Sequence, residues 1–119
     1  MNYDKRLNVV IPGGAHTYSR GKDQFPSNAP QILTCGKGAY VFDPDGRKYL
    51  DYGMALRAVN IGYANPDIDA AAVKQISFGN NLTRPSIVEL EAAETIVSLI
   101  DSYDMVKFAK NGSSAASAA

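Results

Sequence analysis

The sequence contains no tryptophan, one cysteine and one histidine, and its twelve basic side chains balance twelve acidic ones. With Cys35 as the only cysteine, an intrachain disulfide is excluded and a reducing compartment is favoured. The balance of charge, without a cluster of either sign, excludes the basic stripe of a nucleic-acid-binding domain. We also predict no metal site.

Long apolar runs are missing as well. Val9–Ile11 is too short for the core of a secretory signal peptide, and no window approaches the ~20 apolar residues of a membrane-spanning helix. The 119 residues are 45% hydrophobic and 20% charged, which is typical of a globular domain with a core. These features predict a soluble, cytoplasmic protein with neither membrane nor nucleic acid as a partner.

Glycine and proline divide the first half of the chain. They predict an irregular N-terminal arm over residues 1–30, which contain Pro12, Gly13, Gly14, Gly21, Pro26 and Pro30. Residues 31–64 are rich in β-forming side chains and predict a small antiparallel meander. Its three strands are predicted at Gln31–Cys35, Ala39–Phe42 and Arg47–Tyr52, separated by Gly36-Lys37-Gly38 and by the turn Asp43-Pro44-Asp45-Gly46.

Residues 65–119 alternate helix, strand and helix signals. Asn65 is an N-cap before Pro66 at a first helical position, and Ser86 with Glu89 has the spacing of a capping box before a second helix. Met105–Ala109 then predicts a short strand, Asn111-Gly112 a turn, and Ser113 onward a new helix. This order is typical of the opening of an α/β unit with a parallel sheet.

The Gly-Ser turn before the last helix allows two interpretations. Glycine lets a ligand approach the backbone, and the unpaired N–H groups of a first helical turn favour an anion, most often a phosphate. The simpler interpretation is a generic Asn-Gly turn followed by a serine cap. These residues alone leave both open.

Five segments in order carry a family resemblance: "IPGGAHTYSRG", "GKGAYVFDPDGRKYLDY", "IGYANP", "SFGNNLTRPSIVELEAAE" and "MVKFAKNGSSAASAA". From about Val10 to Ala119 the chain resembles the N-terminal portion of class III (subgroup II) pyridoxal-phosphate-dependent aminotransferases. Within them it is most similar to the glutamate semialdehyde aminomutase branch. The resemblance implies an α/β fold in which residues 65–119 begin the large, cofactor-binding domain of a fold-type I transferase and form an incomplete part of it.

The resemblance also implies site residues. The cofactor phosphate would be held at Gly112 and Ser113, with Asn111 and Ser114 as neighbours, although the family usually has an acidic residue at the position of Ser114. The substrate carboxylate would contact Thr17 and Arg20, and a guanidinium suits it because its two-pronged geometry matches a carboxylate.

Two departures from the branch concern the substrate pocket. Leu56 stands where a pocket tryptophan is common, and Gly62-Tyr63 replaces a more usual Gly-His. Both favour an aminotransferase with a different substrate over the aminomutase, which remains an alternative enzyme interpretation.

The catalytic lysine of the family, which binds the cofactor covalently, has no counterpart in this chain. We therefore predict no catalytic residue here and a chain that is inactive alone. The intact enzyme would be a homodimer that acts on a small-molecule amino donor and acceptor. The alternative is a non-catalytic interaction module, or an inactive remnant, that docks on a full-length relative. The lysines that do not match are Lys5, Lys22, Lys37, Lys48, Lys74, Lys107 and Lys110.

Overall fold

A computed structural model describes residues 2–119. In chain order its elements are α1 Tyr3–Val10, β1 Cys35–Lys37, β2 Tyr40–Phe42, β3 Lys48–Leu50, α2 Met54–Arg57, α3 Pro66–Ile76, α4 Ile87–Leu99 and α5 Gly112–Ala118. Short 3-10 turns precede β1 at Pro12–Gly14, Tyr18–Arg20 and Lys22–Gln24. None of these helices has both the length and the apolar character needed to cross a membrane. The chain divides into two compact units, one ending at Lys74 and the other covering Gln75–Ala119.

Helix α1 corrects the prediction of an arm that is irregular throughout. The Asn2 side chain caps the helix by accepting a hydrogen bond from the Lys5 N–H at 2.9 Å. The helix stops before Pro12, and Ile11 takes the extended conformation that a following proline favours. The irregular arm was predicted from its glycine and proline residues, and the first of these is Pro12. The prediction therefore applied only to the residues that follow α1.

The predicted meander is confirmed as a three-stranded antiparallel sheet in the order β1-β2-β3. The position of its first strand was wrong, since β1 begins at Cys35 instead of ending there. Gly36 and Lys37 belong to the strand, and the turn to β2 consists of Gly38 and Ala39, with φ of 57° at Gly38. Glycine at position 36 does not break the strand, because it makes room for an aromatic ring that covers it.

That ring belongs to Tyr63, which closes over the first hairpin. Its backbone N–H and carbonyl exchange two hydrogen bonds of 2.8 Å with Gly38. A Cβ added at Gly36 would lie 2.5 Å from Cγ of the Tyr63 ring. The close approach of this ring to the backbone therefore requires glycine at position 36.

The turn between β2 and β3 forms as predicted and is organised by Asp43. This side chain is buried, with an exposed fraction of 6%. Its carboxylate accepts hydrogen bonds of 2.9 Å from the N–H groups of Asp45 and Arg47 and from the Tyr49 hydroxyl. Burial acts to raise the pKa of Asp43, but these hydrogen bonds together outweigh it and hold the pKa below the ordinary value. The turn is thus built around an ionised carboxylate.

Both helix starts predicted from capping signals are confirmed. The Asn65 side chain accepts hydrogen bonds from the N–H groups of Asp67 and Ile68, at 3.1 and 3.3 Å, before α3. A complete capping box opens α4: the Glu89 N–H donates to Ser86 Oγ at 3.3 Å, and the Ser86 N–H donates to Glu89 Oε2. These starts depend on contacts within a few residues, which is why the sequence predicts them.

The strand predicted at Met105–Ala109 is not formed. These residues have no ladder partner among residues 2–119, where the three meander strands are the only sheet. A parallel strand exists only when a neighbouring strand supplies its hydrogen bonds, so propensity alone does not create one.

Apolar side chains are largely exposed in both units. Val41 is the one buried hydrophobic residue among those that the structure describes. On α3 and α4 the exposed apolar residues include Ile68, Val73, Ile76, Ile87 and Leu90. The contacts that the structure shows within these units are thus mostly hydrogen bonds at turns and helix starts.

We expect Gly36→Ala to displace the Tyr63 ring from the first hairpin. Crowding of this kind typically costs about 1–3 kcal/mol. Amide hydrogen exchange measured by NMR should therefore accelerate at Gly38 and Tyr63, the two residues of the bridge. Lys37→Ala, an exposed position of the same strand, is the matched control and should leave both amides protected. Unchanged protection in Gly36→Ala would contradict the close packing.

Candidate functional site

The Gly-Ser turn opens helix α5. Asn111 is its N-cap and has an extended backbone, with φ of −155° and ψ of 163°. The Asn111 side-chain oxygen accepts a hydrogen bond of 2.8 Å from the Ser114 N–H. Its carbonyl accepts the Ala115 N–H at 3.1 Å. Of the four residues predicted at this site, two are therefore hydrogen-bonded to each other, the Asn111 side chain and the Ser114 backbone N–H.

The backbone N–H groups of Gly112 and Ser113 occupy the first positions of α5, where the helix has no acceptors for them. Residues 2–119 contribute no hydrogen-bond acceptor to either N–H. A Cβ built on Gly112 would meet nothing within 4 Å, so the approach to the backbone is open. Two unpaired donors at the positive end of a helix fit an anion such as a phosphate.

Thr17 and Arg20 lie at the two ends of one 3-10 turn. The Arg20 N–H donates to the Thr17 carbonyl at 3.0 Å, and the Thr17 and Ser19 hydroxyl oxygens are 3.4 Å apart. Thr17 lines a shallow cavity of about 360 Å³, whose other walls include Pro12, His16 and Asp23. Both predicted carboxylate contacts are exposed, so their side chains are accessible to a small molecule.

Leu56, the predicted pocket residue, lies in a left-handed turn that the sequence did not indicate. All of α2 has positive φ: 41° at Met54, 50° at Ala55, 60° at Leu56 and 71° at Arg57. For residues with a Cβ this conformation costs about 1–2 kcal/mol each. The Leu56 side chain is 64% exposed. A strained backbone of this kind persists only where surrounding contacts hold it.

Asp51 and Tyr63 supply such contacts. Asp51 Oδ1 accepts hydrogen bonds from the N–H groups of Gly53 and Met54, at 2.8 and 3.0 Å. Its second oxygen, Oδ2, accepts the Tyr63 hydroxyl at 2.6 Å. From the sequence, Tyr63 was predicted only as a departure from the aminomutase branch, and Asp51 was not predicted at all. The spacing Asp51-Tyr52-Gly53 is typical of an aspartate that bonds backbone two residues ahead, and it could have indicated this turn.

The pKa shifts of this pair agree with its geometry. The Tyr63 hydrogen bond lowers the pKa of Asp51, and it outweighs burial, which acts in the opposite direction. The same hydrogen bond raises the pKa of Tyr63, while the Ala55 backbone and the charge of Arg20 act to lower it. The neutral Tyr63 phenol thus donates to an ionised Asp51 carboxylate.

The predicted residues fall into two groups. Thr17, Arg20 and Leu56 belong to the unit that ends at Lys74, whereas residues 111–114 belong to the second unit. Within residues 2–119 no cluster of three or more histidine, cysteine, aspartate or glutamate side chains is placed to hold a metal ion.

Comparison with known proteins identifies the family of this chain. The family model described as "Aminotransferase class-III" matches residues 18–119. The chain therefore belongs to the class-III aminotransferase family. Two curated relatives are a glutamate-1-semialdehyde 2,1-aminomutase from Roseiflexus castenholzii, 32% identical over 92% of this chain, and an aminopentol aminotransferase from Sphingopyxis macrogoltabida, 35% identical over 97% of it.

A solved relative has the same backbone arrangement. The FumI protein of Sphingopyxis sp. MTA144, solved in its "PLP internal aldimine form", superposes with a TM-score of 0.89 at 34% identity over 97% of this chain. The match covers 28% of that protein, and the two curated relatives are covered over 25% and 27% of their length. The chain thus spans about a quarter of the length of the relatives that it matches.

We expect Asn111→Ala to weaken the first turn of α5. Loss of a side-chain cap lowers the stability of a helix by about 0.5–2 kcal/mol, and a helix as short as α5 is only marginally stable. Cα chemical shifts of residues 112–118 should move toward coil values, and the Ser114 amide should exchange faster. Asn111→Asp retains the capping oxygen and should keep both signals. Equal helicity in Asn111→Ala would show that the cap contributes nothing.

Proposed function

We propose that this chain is the N-terminal part of a pyridoxal-phosphate-dependent aminotransferase, in which the start of α5 holds the cofactor phosphate. The observation that carries the proposal is the pair of unpaired N–H groups at Gly112 and Ser113, in a chain whose match to the class-III family runs from residue 18 to residue 119. Pyridoxal phosphate is the cofactor of the intact enzymes of this family.

Residues 111–114 would contribute to phosphate binding in different ways. The N–H groups of Gly112 and Ser113 would donate to its oxygens, and the hydroxyls of Ser113 and Ser114 would add further donors. Asn111 contributes indirectly, because its cap on the Ser114 N–H keeps the first turn of the helix formed. The positive end of the helix dipole adds to the attraction of a dianion. When bound, the cofactor supplies an electron sink for the carbon that bears the amino group.

The first unit would supply the substrate contacts. The Arg20 guanidinium is suited to pair with a substrate carboxylate, and the Thr17 hydroxyl can donate to the same group. Exposed Leu56 would form an apolar wall on the side-chain portion of the substrate. The substrates would be an amino donor together with a keto acid or aldehyde acceptor.

The aminomutase is the second candidate enzyme. The two curated relatives do not separate the alternatives, since the aminomutase is 32% and the aminotransferase 35% identical to this chain. Leu56 and Tyr63 support amino-group transfer to a separate acceptor, because both replace residues that are usual in the aminomutase branch. We therefore favour the aminotransferase.

The chemistry itself would depend on residues outside positions 1–119, because no lysine here matches the catalytic one. We propose a cytoplasmic homodimer as the complete enzyme. The exposed apolar residues of α3 and α4 support a chain that packs against further protein. The alternative is an interaction module that docks on a full-length relative through its N-terminal arm, and this alternative requires no cofactor binding at α5.

Phosphate binding can be tested at one backbone donor. Gly112 is the first residue of α5 and follows an extended Asn111, so Gly112→Pro should preserve the helix and remove one N–H. We expect inorganic phosphate and pyridoxal phosphate, each titrated into ¹⁵N-labelled chain, to shift the amide signals of Gly112 and Ser113. Gly112→Pro should weaken this binding about tenfold, as expected for a hydrogen bond to a charged group.

Gly112→Ala is the matched control, since it keeps the N–H and its Cβ enters open space. It should bind more tightly than Gly112→Pro. Equal affinity in the two variants, or shifts that spread over the whole chain, would contradict a phosphate site at α5.

Covalent attachment of pyridoxal phosphate tests the proposal that no lysine of this chain is the catalytic one. Equimolar pyridoxal phosphate followed by borohydride should label this chain substoichiometrically, with the label spread over several lysines, because none is placed as the catalytic one. Mass spectrometry of the peptides after gel filtration measures the distribution. A one-to-one adduct on a single lysine would show that the chain contains its own catalytic amine and would overturn this view.

A further inference from the structure

We propose that Tyr63 is a positioning residue that acts through Asp51 to hold the left-handed turn α2, and thereby sets the direction in which Leu56 faces. The specificity consequence rests on the proposed function, in which Leu56 forms a wall of the substrate pocket. The hydrogen-bonded arrangement itself does not depend on that function.

The turn needs an external support. Its own hydrogen bonds include Arg57 N–H to the Gly53 carbonyl at 2.9 Å and Val59 N–H to the Met54 carbonyl at 3.1 Å. These bonds close one turn of a left-handed helix, a form that side chains with a Cβ rarely adopt. Helix hydrogen bonds of similar length are available to a right-handed turn, so they do not explain the hand that is observed.

Asp51 supports the turn where it begins. Its carboxylate oxygen Oδ1 accepts the N–H groups of Gly53 and Met54, the two residues at which the chain enters α2. The backbone of Asp51 is held in turn by its N–H, which donates to the Ala39 carbonyl at 2.9 Å. The carboxylate therefore connects the end of the sheet to the start of the turn.

Tyr63 determines the orientation of that carboxylate. Its hydroxyl donates to the other Asp51 oxygen at 2.6 Å, and its ring is fixed over Gly36 by the paired backbone bonds to Gly38. Rotation of the Asp51 carboxylate would break the hydrogen bond to Tyr63 and the two bonds to the turn together. The Tyr63 side chain thus connects the first hairpin, through its ring, to the carboxylate that holds the start of α2, through its hydroxyl.

A second tyrosine provides a matched control in the same sheet. The Tyr49 hydroxyl donates to Asp43 at 2.9 Å, and Asp43 accepts the N–H groups of Asp45 and Arg47. Tyr49→Phe therefore removes the same kind of hydrogen bond from a different turn.

The experiment compares the unmodified ¹⁵N-labelled chain with Tyr63→Phe and Tyr49→Phe. Tyr63→Phe should accelerate amide exchange at Gly53 and Met54 about tenfold or more, as expected for loss of a hydrogen bond to a carboxylate. The coupling constants and intraresidue NOEs that report positive φ at Met54–Arg57 should become averaged. The amides of Gly38 and Tyr63 should keep their protection, since the ring and the backbone bridge remain. Tyr49→Phe should affect Asp45 and Arg47 and leave α2 unchanged.

A double-mutant comparison shows whether Tyr63 acts through Asp51. In an Asp51→Ala background, Tyr63→Phe should have no further effect at Met54–Arg57, because the carboxylate that connects Tyr63 to the turn is already absent. An additional effect of full size would overturn the proposal. So would an unchanged turn in Tyr63→Phe, or equal loosening at Gly38 and Met54, which would indicate a merely structural role.

The consequence for specificity is measured in the complete enzyme that carries this segment. Tyr63→Phe should change the ratio of kcat/KM between a small and a bulky amino donor by about tenfold, the scale on which pocket walls discriminate. An equal loss for both donors would overturn the specificity role. The exchange measurements need no cofactor, and the phosphate titration at Gly112 does not involve Tyr63. The positioning role of Tyr63 and the phosphate site at α5 can therefore each be disproved without affecting the other.

Discussion

Tyr63 joins three stretches of the first unit that are separate in sequence. Its backbone pairs with Gly38 through two hydrogen bonds of 2.8 Å, its ring covers Gly36, and its hydroxyl donates to Asp51 at 2.6 Å. The hairpin, the end of the sheet and the left-handed turn α2 all meet at this side chain. Among the residues that the structure describes, Val41 is the one buried hydrophobic residue, and these directional contacts join the parts of the first unit.

The same hydrogen-bonding arrangement around an aspartate occurs twice in the meander region. Asp43 follows β2 and Asp51 follows β3, and each carboxylate accepts two backbone N–H groups and one tyrosine hydroxyl. Both have a pKa below the ordinary value, because hydrogen bonding to the ionised form outweighs burial. The first carboxylate forms a routine turn between strands. The second supports a strained turn that carries Leu56, and strained backbone of this kind is concentrated at functional sites.

Features that depend on neighbours in sequence were predictable. The turn at Asp43–Gly46, the Asn65 cap and the capping box of Ser86 with Glu89 all form as predicted, because each is made by contacts spanning a few residues. Local signals also predicted the last helix, but they assigned its cap to a serine, whereas the cap is Asn111 and the helix begins at Gly112. The prediction at Met105–Ala109 was wrong because a parallel strand depends on a partner elsewhere.

The sequence by itself determined the local turns and caps, and through its ordered motifs it indicated the family that the match to residues 18–119 shows. Only the tertiary structure decided that Gly36 lies inside a strand, because the reason is the Tyr63 ring above it. It also decided the left-handed course of α2, which no residue of that turn prefers. The physical reason is the same in both cases: the deciding contact joins residues far apart along the chain, and only folding brings Tyr63 to Gly36 and Asp51.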